Sequence, residues 1–256
     1  ETPALSLEVI GDGVSSQARA IVAQEMTRML ALTVDLLPFY AMAREDPLLM
    51  LATQSFYGLH PPQTASVFEA LIMAIIGQQI SGVVARAIRG RTVQALGTSF
   101  IAGGETAYIF PKPVDFLRAG QERLRSLGLS ARKAEYILGI ASSAADGTLD
   151  LRMLETLSNQ QVVEELVRLR GVGPWTAQWV LLRALGRTDA FPAGDLALRR
   201  VISEGYLGGR VLGETEAAAF AQEHWGAYAG LATTYLFAYL RRRRSLDGGS
   251  EIVPGA

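Results

Sequence analysis

Two glycines one residue apart, set between two helix-forming runs, constrain this chain more than any other feature. They lie in Leu169-Arg170-Gly171-Val172-Gly173-Pro174-Trp175-Thr176-Ala177. A helical run from Gln160 to Leu169 precedes them, and a second from Trp175 to Leu185 follows. Glycine accepts the positive φ of a tight inter-helix turn and lets another backbone come close. Pro174 suits the first turn of the second helix, where a missing N–H is no loss. The glycine N–H groups and that helix start together predict an anion site suited to a DNA phosphate. A lone carboxylate, Asp195, stands 20 residues beyond Trp175 in Phe191-Pro192-Ala193-Gly194-Asp195, at the expected start of the next helix.

Two further stretches accompany the hairpin. One is Leu71-Ile72-Met73-Ala74-Ile75-Ile76-Gly77-Gln78-Gln79-Ile80-Ser81, the other Leu127-Gly128-Leu129-Ser130-Ala131-Arg132-Lys133-Ala134-Glu135. A Gly-x-Gly turn alone is common among DNA-binding proteins. With all four stretches in this order, over roughly residues 60 to 245, the chain resembles the helix-hairpin-helix DNA glycosylase superfamily, in its 3-methyladenine DNA glycosylase II (AlkA-like) branch.

The resemblance implies a mainly α fold: a glycosylase core of two helical lobes over residues 61–256. A small N-terminal strand and helix region, a partial α+β unit, would occupy residues 1–60. It also implies excision of alkylated bases, 3-methyladenine among them, by base flipping. The partner is then double-stranded DNA with a damaged base, met in a bacterial cytoplasm or a nucleus. A monomer is expected, and no organic cofactor. A monovalent cation held by backbone carbonyls of Leu169 and Gly171 is implied by the family, not by any side chain. The rival readings are a non-catalytic DNA-binding module and a glycosylase for deaminated or oxidised bases.

Composition narrows the classes open to this chain. Hydrophobic residues make up 49% of 256, enough to bury a core. No apolar run reaches the ~18 residues of a membrane span. There is no cysteine, which excludes disulfides and an iron–sulfur cluster of the kind some relatives carry. With two histidines a zinc site is not expected. The net charge of −1 is uneven: residues 1–60 carry −4 and the remainder +3. The modest basic excess thus accompanies the motifs. No leader is expected, and the chain opens on Glu1 rather than a start residue.

Along the chain, Ala4 to Ile10 alternates and ends at Gly11-Asp12-Gly13, which predicts a strand and a turn. Ser15 or Ser16 then caps a helix to about Leu32. The family's N-terminal lobe is expected to be small or truncated. Beyond His60-Pro61-Pro62 the helical period governs, with Gly103-Gly104 and Pro111-Lys112-Pro113 bracketing a loop.

Asp195 reads locally as a helix N-cap. The hairpin upstream favours a catalytic carboxylate, and the resemblance places the catalytic Asp here. Both roles can coexist, because a helix start favours an anion. Trp175 stands where bifunctional relatives place a lysine, so no Schiff-base chemistry is expected from that position. Trp179 shares its helical face, and Tyr235 and Phe237 lie on the last helix. These aromatics are either core or the wall of a base pocket, which would attract a cationic alkylated purine. Gly171, Gly173, Thr176 and Arg199 are candidate DNA contacts. In the family the loop at Gln78-Gln79-Ile80 carries a wedge that fills the gap left by the flipped base. The compared branch has an apolar residue where Gln79 stands, so either Gln79 or Ile80 could fill that role. Arg241 to Arg244 either complement the last helix dipole or touch phosphate.

Overall fold

The structure, a computed structural model, describes residues 4–11 and 13–246, the last four by their backbone alone. The expected turn at Gly11-Asp12-Gly13 includes Asp12, outside the described residues. Ahead of it, Ala4 to Ile10 is not a strand. Alternation creates a strand only where a partner strand can take its hydrogen bonds, and this segment pairs with nothing among the described residues. Helix α1 (Ser16–Met29) is capped by Ser15, whose hydroxyl accepts from the Ala18 N–H at 3.1 Å.

Two helices without an expected counterpart follow, α2 (Leu37–Ala43) and α3 (Pro47–Ser55). Each has a proline in its first turn, and Asp46 caps α3 through the N–H groups of Leu48 and Leu49. The apolar pattern then builds α4 (Val67–Gly77), α5 (Gly82–Leu96), α6 (Pro113–Ser126) and α7 (Ala131–Ala145). Helix α6 is kinked at Gly120, where φ is +67°, so it is in effect two short helices. The hairpin joins α8 (Asn159–Leu166) to α9 (Pro174–Arg183), and α10 (Leu196–Tyr206), α11 (Glu214–His224) and α12 (Ala229–Leu246) follow.

The loop expected around residue 103 is a β-hairpin. Strand β1 (Thr98–Ala102) pairs antiparallel with β2 (Glu105–Ile109), in register from Thr98 opposite Ile109 to Ala102 opposite Glu105. Gly103 and Gly104, at φ +59° and +83°, supply the two left-handed residues a primed hairpin turn demands.

Two buried apolar clusters form the lobes. The first gathers Leu71, Ile75, Phe116, Ile137, Leu166 and Val180 among others. The second gathers Phe191, Leu198, Phe220, Trp225 and Tyr235 with Phe39, Tyr40 and Leu49. Packing therefore does not follow the division expected near residue 60, because α2 and α3 complete the C-terminal lobe. Asp46 fastens them there. Its carboxylate accepts from the Tyr206 hydroxyl at 2.8 Å and the Trp225 indole N–H at 3.1 Å, besides capping α3. No helix among the described residues is long and apolar enough to cross a membrane.

Replacing Asp46 with alanine removes a cap and two hydrogen bonds to a charged acceptor. Urea unfolding is expected to show a loss of about 2–4 kcal/mol. A loss below about 1 kcal/mol would mean the second lobe holds α3 without this clasp.

Candidate active site

The site is built around the start of α10. Asp195 is its N-cap, and Oδ1 accepts from the N–H groups of Ala197 and Leu198 at 2.9 and 3.1 Å. Oδ2 accepts from the Trp175 indole N–H at 3.3 Å. The carboxyl is 5% exposed. Burial raises its pKa above the ordinary carboxylate value, although these three hydrogen bonds and the Arg199 charge pull the other way. The helix-start environment that favours the anion is thus present, and burial outweighs it.

Trp175 and Trp179 lie one turn apart on α9 and stack, with centroids 6.1 Å apart and planes 12° from parallel. The Arg183 guanidinium, one turn further on, lies 5.4 Å from the Trp179 ring centre. Trp179 is buried yet belongs to neither apolar cluster. It lines a cavity of about 120 Å³ with Phe237, Leu182, Thr234, Arg183 and Arg241. Arg183 is pressed down to about 10, first by burial and then by the charges of Arg241 and Arg89. A cationic cavity of this kind was not legible, although the spacing of Arg183 one turn past Trp179 was a usable signal.

Tyr235 is not at the cavity. It is fully buried, its hydroxyl 2.8 Å from that of Tyr40 and its ring 5.0 Å from Phe39. Desolvation pushes its hydroxyl pKa well above the ordinary value. Helix α12 turns Phe237 toward the cavity and Tyr235 into the core, a difference two residues of helical rotation produce.

The two hairpin glycines serve different ends. Gly171 has φ +91°, and a Cβ there would sit 2.2 Å from Tyr136 Cδ2. Gly173 has φ −102°, open to any residue, and a Cβ would meet nothing within 4 Å. Only Gly171 fills the expected left-handed position. Gly173 caps α9 without any side-chain partner, so its surroundings are open at the helix start.

Thr176 is 1% exposed, and its hydroxyl accepts from Gln78 Nε2 at 3.1 Å. That link holds the Thr176 side chain inside. The same Gln78 amide donates to the Gly171 carbonyl at 2.9 Å. Ile80 is half-buried and packs against the first apolar cluster. Gln79 is exposed at φ +55°. Arg199 donates to the Leu212 carbonyl at 3.3 Å and acts on Asp195 through its charge. From the basic run, Arg241 lines the cavity, and Arg242 lies 5.9 Å from the Phe56 ring centre. The side chains of Arg243 and Arg244 lie outside the described residues. Among the described residues no cluster of His, Cys, Asp and Glu is placed to hold a metal ion.

Residues 72–226 match the family model described as HhH-GPD superfamily base excision DNA repair protein, and the chain belongs to that family. It is 37% identical over 164 residues to the DNA-3-methyladenine glycosylase of Bacillus subtilis, covering 64% of this chain and 54% of that protein. It is 30% identical over 144 residues to DNA-3-methyladenine glycosylase 2 of Escherichia coli, covering 56% of this chain and 50% of that one. These matches span about half the length of either relative. The solved 3-methyladenine DNA glycosylase of Archaeoglobus fulgidus superposes with a TM-score of 0.81 at 34% identity, over 90% of this chain and 77% of that one.

The glycine geometry separates two substitutions. Gly171→Ala meets both a left-handed backbone and the Tyr136 ring, and is expected to lower the unfolding free energy by about 2 kcal/mol or more. Gly173→Ala is expected to stay within about 1 kcal/mol of the parent and to weaken duplex binding whatever the base, measured as affinity for an abasic-analogue duplex. Normal binding by Gly173→Ala would remove the hairpin from the role of phosphate anchor.

Proposed function

We propose that this protein is a monofunctional DNA glycosylase that hydrolyses the N-glycosidic bond of alkylated bases in double-stranded DNA. The observation that carries the reading is the buried Asp195 carboxylate, fixed by a helix start and by Trp175, whose ring stacks on Trp179, one wall of an aromatic-lined cavity. The family and the names of its relatives support it.

The duplex is held where α9 begins, by backbone N–H groups around Gly173 facing a phosphate. The damaged nucleotide rotates out of the stack toward the cleft between the lobes. As the bond from C1′ to the base breaks, its electron pair leaves with the base and positive charge grows on the sugar. Ionised Asp195 stabilises that charge and takes a proton from the water that adds to C1′. The products are a free base and an abasic site. Trp175 offers no amine, and Lys133 Nζ is already committed to two carbonyls, so neither can form a Schiff base and cut the strand. All these residues come from one chain, so a monomer suffices. Such a substrate is met in a bacterial cytoplasm or a nucleus.

A monovalent cation at the hairpin would be held by the Leu169 and Gly171 carbonyls. These accept from the Val172 N–H at 3.0 Å and from Gln78 Nε2 at 2.9 Å. Each keeps a second lone pair, so the carbonyls fit an ion. Bound there, it would add positive charge facing the phosphate.

A second reading, excision of deaminated or oxidised bases, is favoured by one observation. Arg183 and Arg241 line the cavity, where they repel a cationic ring and can donate to a keto oxygen. Base-release assays on methylated, deaminated and oxidised duplexes separate the two readings by which base appears.

Asp195→Asn keeps an acceptor for α10 but sets an amide N–H against the indole N–H. Base release is expected to fall by a factor of about 100 or more with duplex binding retained. Unchanged turnover would end the catalytic assignment. Because burial raises the Asp195 pKa, the protonated, inactive form accumulates sooner as pH falls. The acid limb of the single-turnover rate is expected above the ordinary carboxylate range, and a limb at or below it would contradict the buried site. Abasic strands are expected to stay intact until alkali is added, and borohydride to trap no adduct.

A further inference from the structure

The loop between α4 and α5 is held more tightly than its exposure suggests. Lys133, in the first turn of α7, reaches across and donates through Nζ to the carbonyls of Ile76 and Gln78, at 2.8 and 2.6 Å. These are orphan carbonyls at the end of α4, where a cation also meets the negative end of the helix dipole. The ammonium is half buried, and desolvation lowers its pKa, so the contact is made at a cost. Immediately after the second carbonyl comes Gln79, a left-handed residue that is not glycine, at φ +55°. Such a conformation is strained and persists only where the surroundings impose it. Ser81 then caps α5, and Ile80 is packed inward. Gln79 is therefore the exposed side chain of the loop.

A second tether runs sideways. The Gln78 amide bonds the Gly171 carbonyl and the Thr176 hydroxyl, and so ties the loop to both sides of the hairpin turn. The loop tip and the proposed phosphate anchor at Gly173 are thereby parts of one hydrogen-bonded unit.

We propose that Lys133 is a positioning residue: by holding the Ile76 and Gln78 carbonyls it presets Gln79 to enter the space an extruded nucleotide leaves in the duplex. The inference rests on the reading of this protein as a base-flipping glycosylase. Lys133 touches no reacting atom. Its effect passes through the backbone to Gln79 and is felt only where a paired, stacked base must be displaced.

The test is single-turnover base release from two DNAs carrying the same N-methylated purine, one fully paired and one with the lesion in an unpaired bulge. The variants are Lys133→Met, Gln79→Ala and the double, assayed well below their melting temperatures. Lys133→Met is expected to slow release from the paired duplex by about tenfold and from the bulge by less than about twofold. The double variant should be no slower than Gln79→Ala, because both changes remove one device. Equal slowing on both DNAs, multiplicative losses in the double, or no slowing on the paired duplex would each overturn the proposal. Should Lys133→Met not fold, Lys133→Gln, which keeps an N–H donor, is read by the same comparison.

If the parent protein releases no base from either DNA, the glycosylase reading fails and the tether is judged separately. The probe is then 2-aminopurine placed opposite an abasic analogue, whose fluorescence changes when a side chain enters the gap. Loss of that change in both Lys133→Met and Gln79→Ala supports the tether, and its retention in Lys133→Met overturns it.

Discussion

Placing a carboxylate at the inner start of α10 costs several kcal/mol of lost hydration unless the protein supplies hydrogen bonds in its stead. Two backbone N–H groups and an indole N–H supply them here. That requirement reaches outward. It fixes where α10 begins, since only unpaired N–H groups of a first turn can serve. It gives Trp175 its place, since the second carboxylate oxygen needs a donor and α9 brings one. It fixes the approach of the Gly194 backbone, where a Cβ would lie 3.3 Å from that of Trp175. The compensation is incomplete, as the raised pKa of Asp195 records. A carboxylate short of full solvation is a stronger base and a better partner for a growing positive charge than one in water.

The helices of the first lobe were legible because their faces are one-sided: α4, α5 and α7 bury apolar residues at helical spacing and open on serine caps. Asp195 and the hairpin were legible for a similar reason, since spacing carries the information. What escaped depends on contacts distant in sequence. Ala4 to Ile10 alternates like a strand but has no neighbour to pair with, whereas Thr98 to Ile109 alternates poorly and pairs with itself. Helices α2 and α3 are short, and their apolar faces acquire meaning only against α12, nearly two hundred residues on. Tyr235 and Thr176 are polar residues whose groups are satisfied inside, by Tyr40 and Gln78, and no spacing in the sequence marks either partner.

The cavity shows a balance between two demands. Aromatic walls favour a flat ring of any charge, but the arginines beside Trp179 and Phe237 work against a cation. The Trp179 face toward the next turn already meets Arg183. The cavity thus sets the neutral ring of Phe237 against a cationic rim of Arg183 and Arg241. Selectivity in such a site would come from the gradient between them as much as from shape.

The stacked indoles of α9 also have an optical consequence. Two indoles 6.1 Å apart couple their excitations, and any skew between their in-plane transition moments gives the pair a circular-dichroism couplet of its own. Trp225 lies in the second lobe, hydrogen-bonded to Asp46, and stands outside that couplet. The protein thus carries a built-in spectroscopic rule next to Asp195. Anything that slides against Trp175, or turns it away from Asp195, changes the couplet without any label being attached.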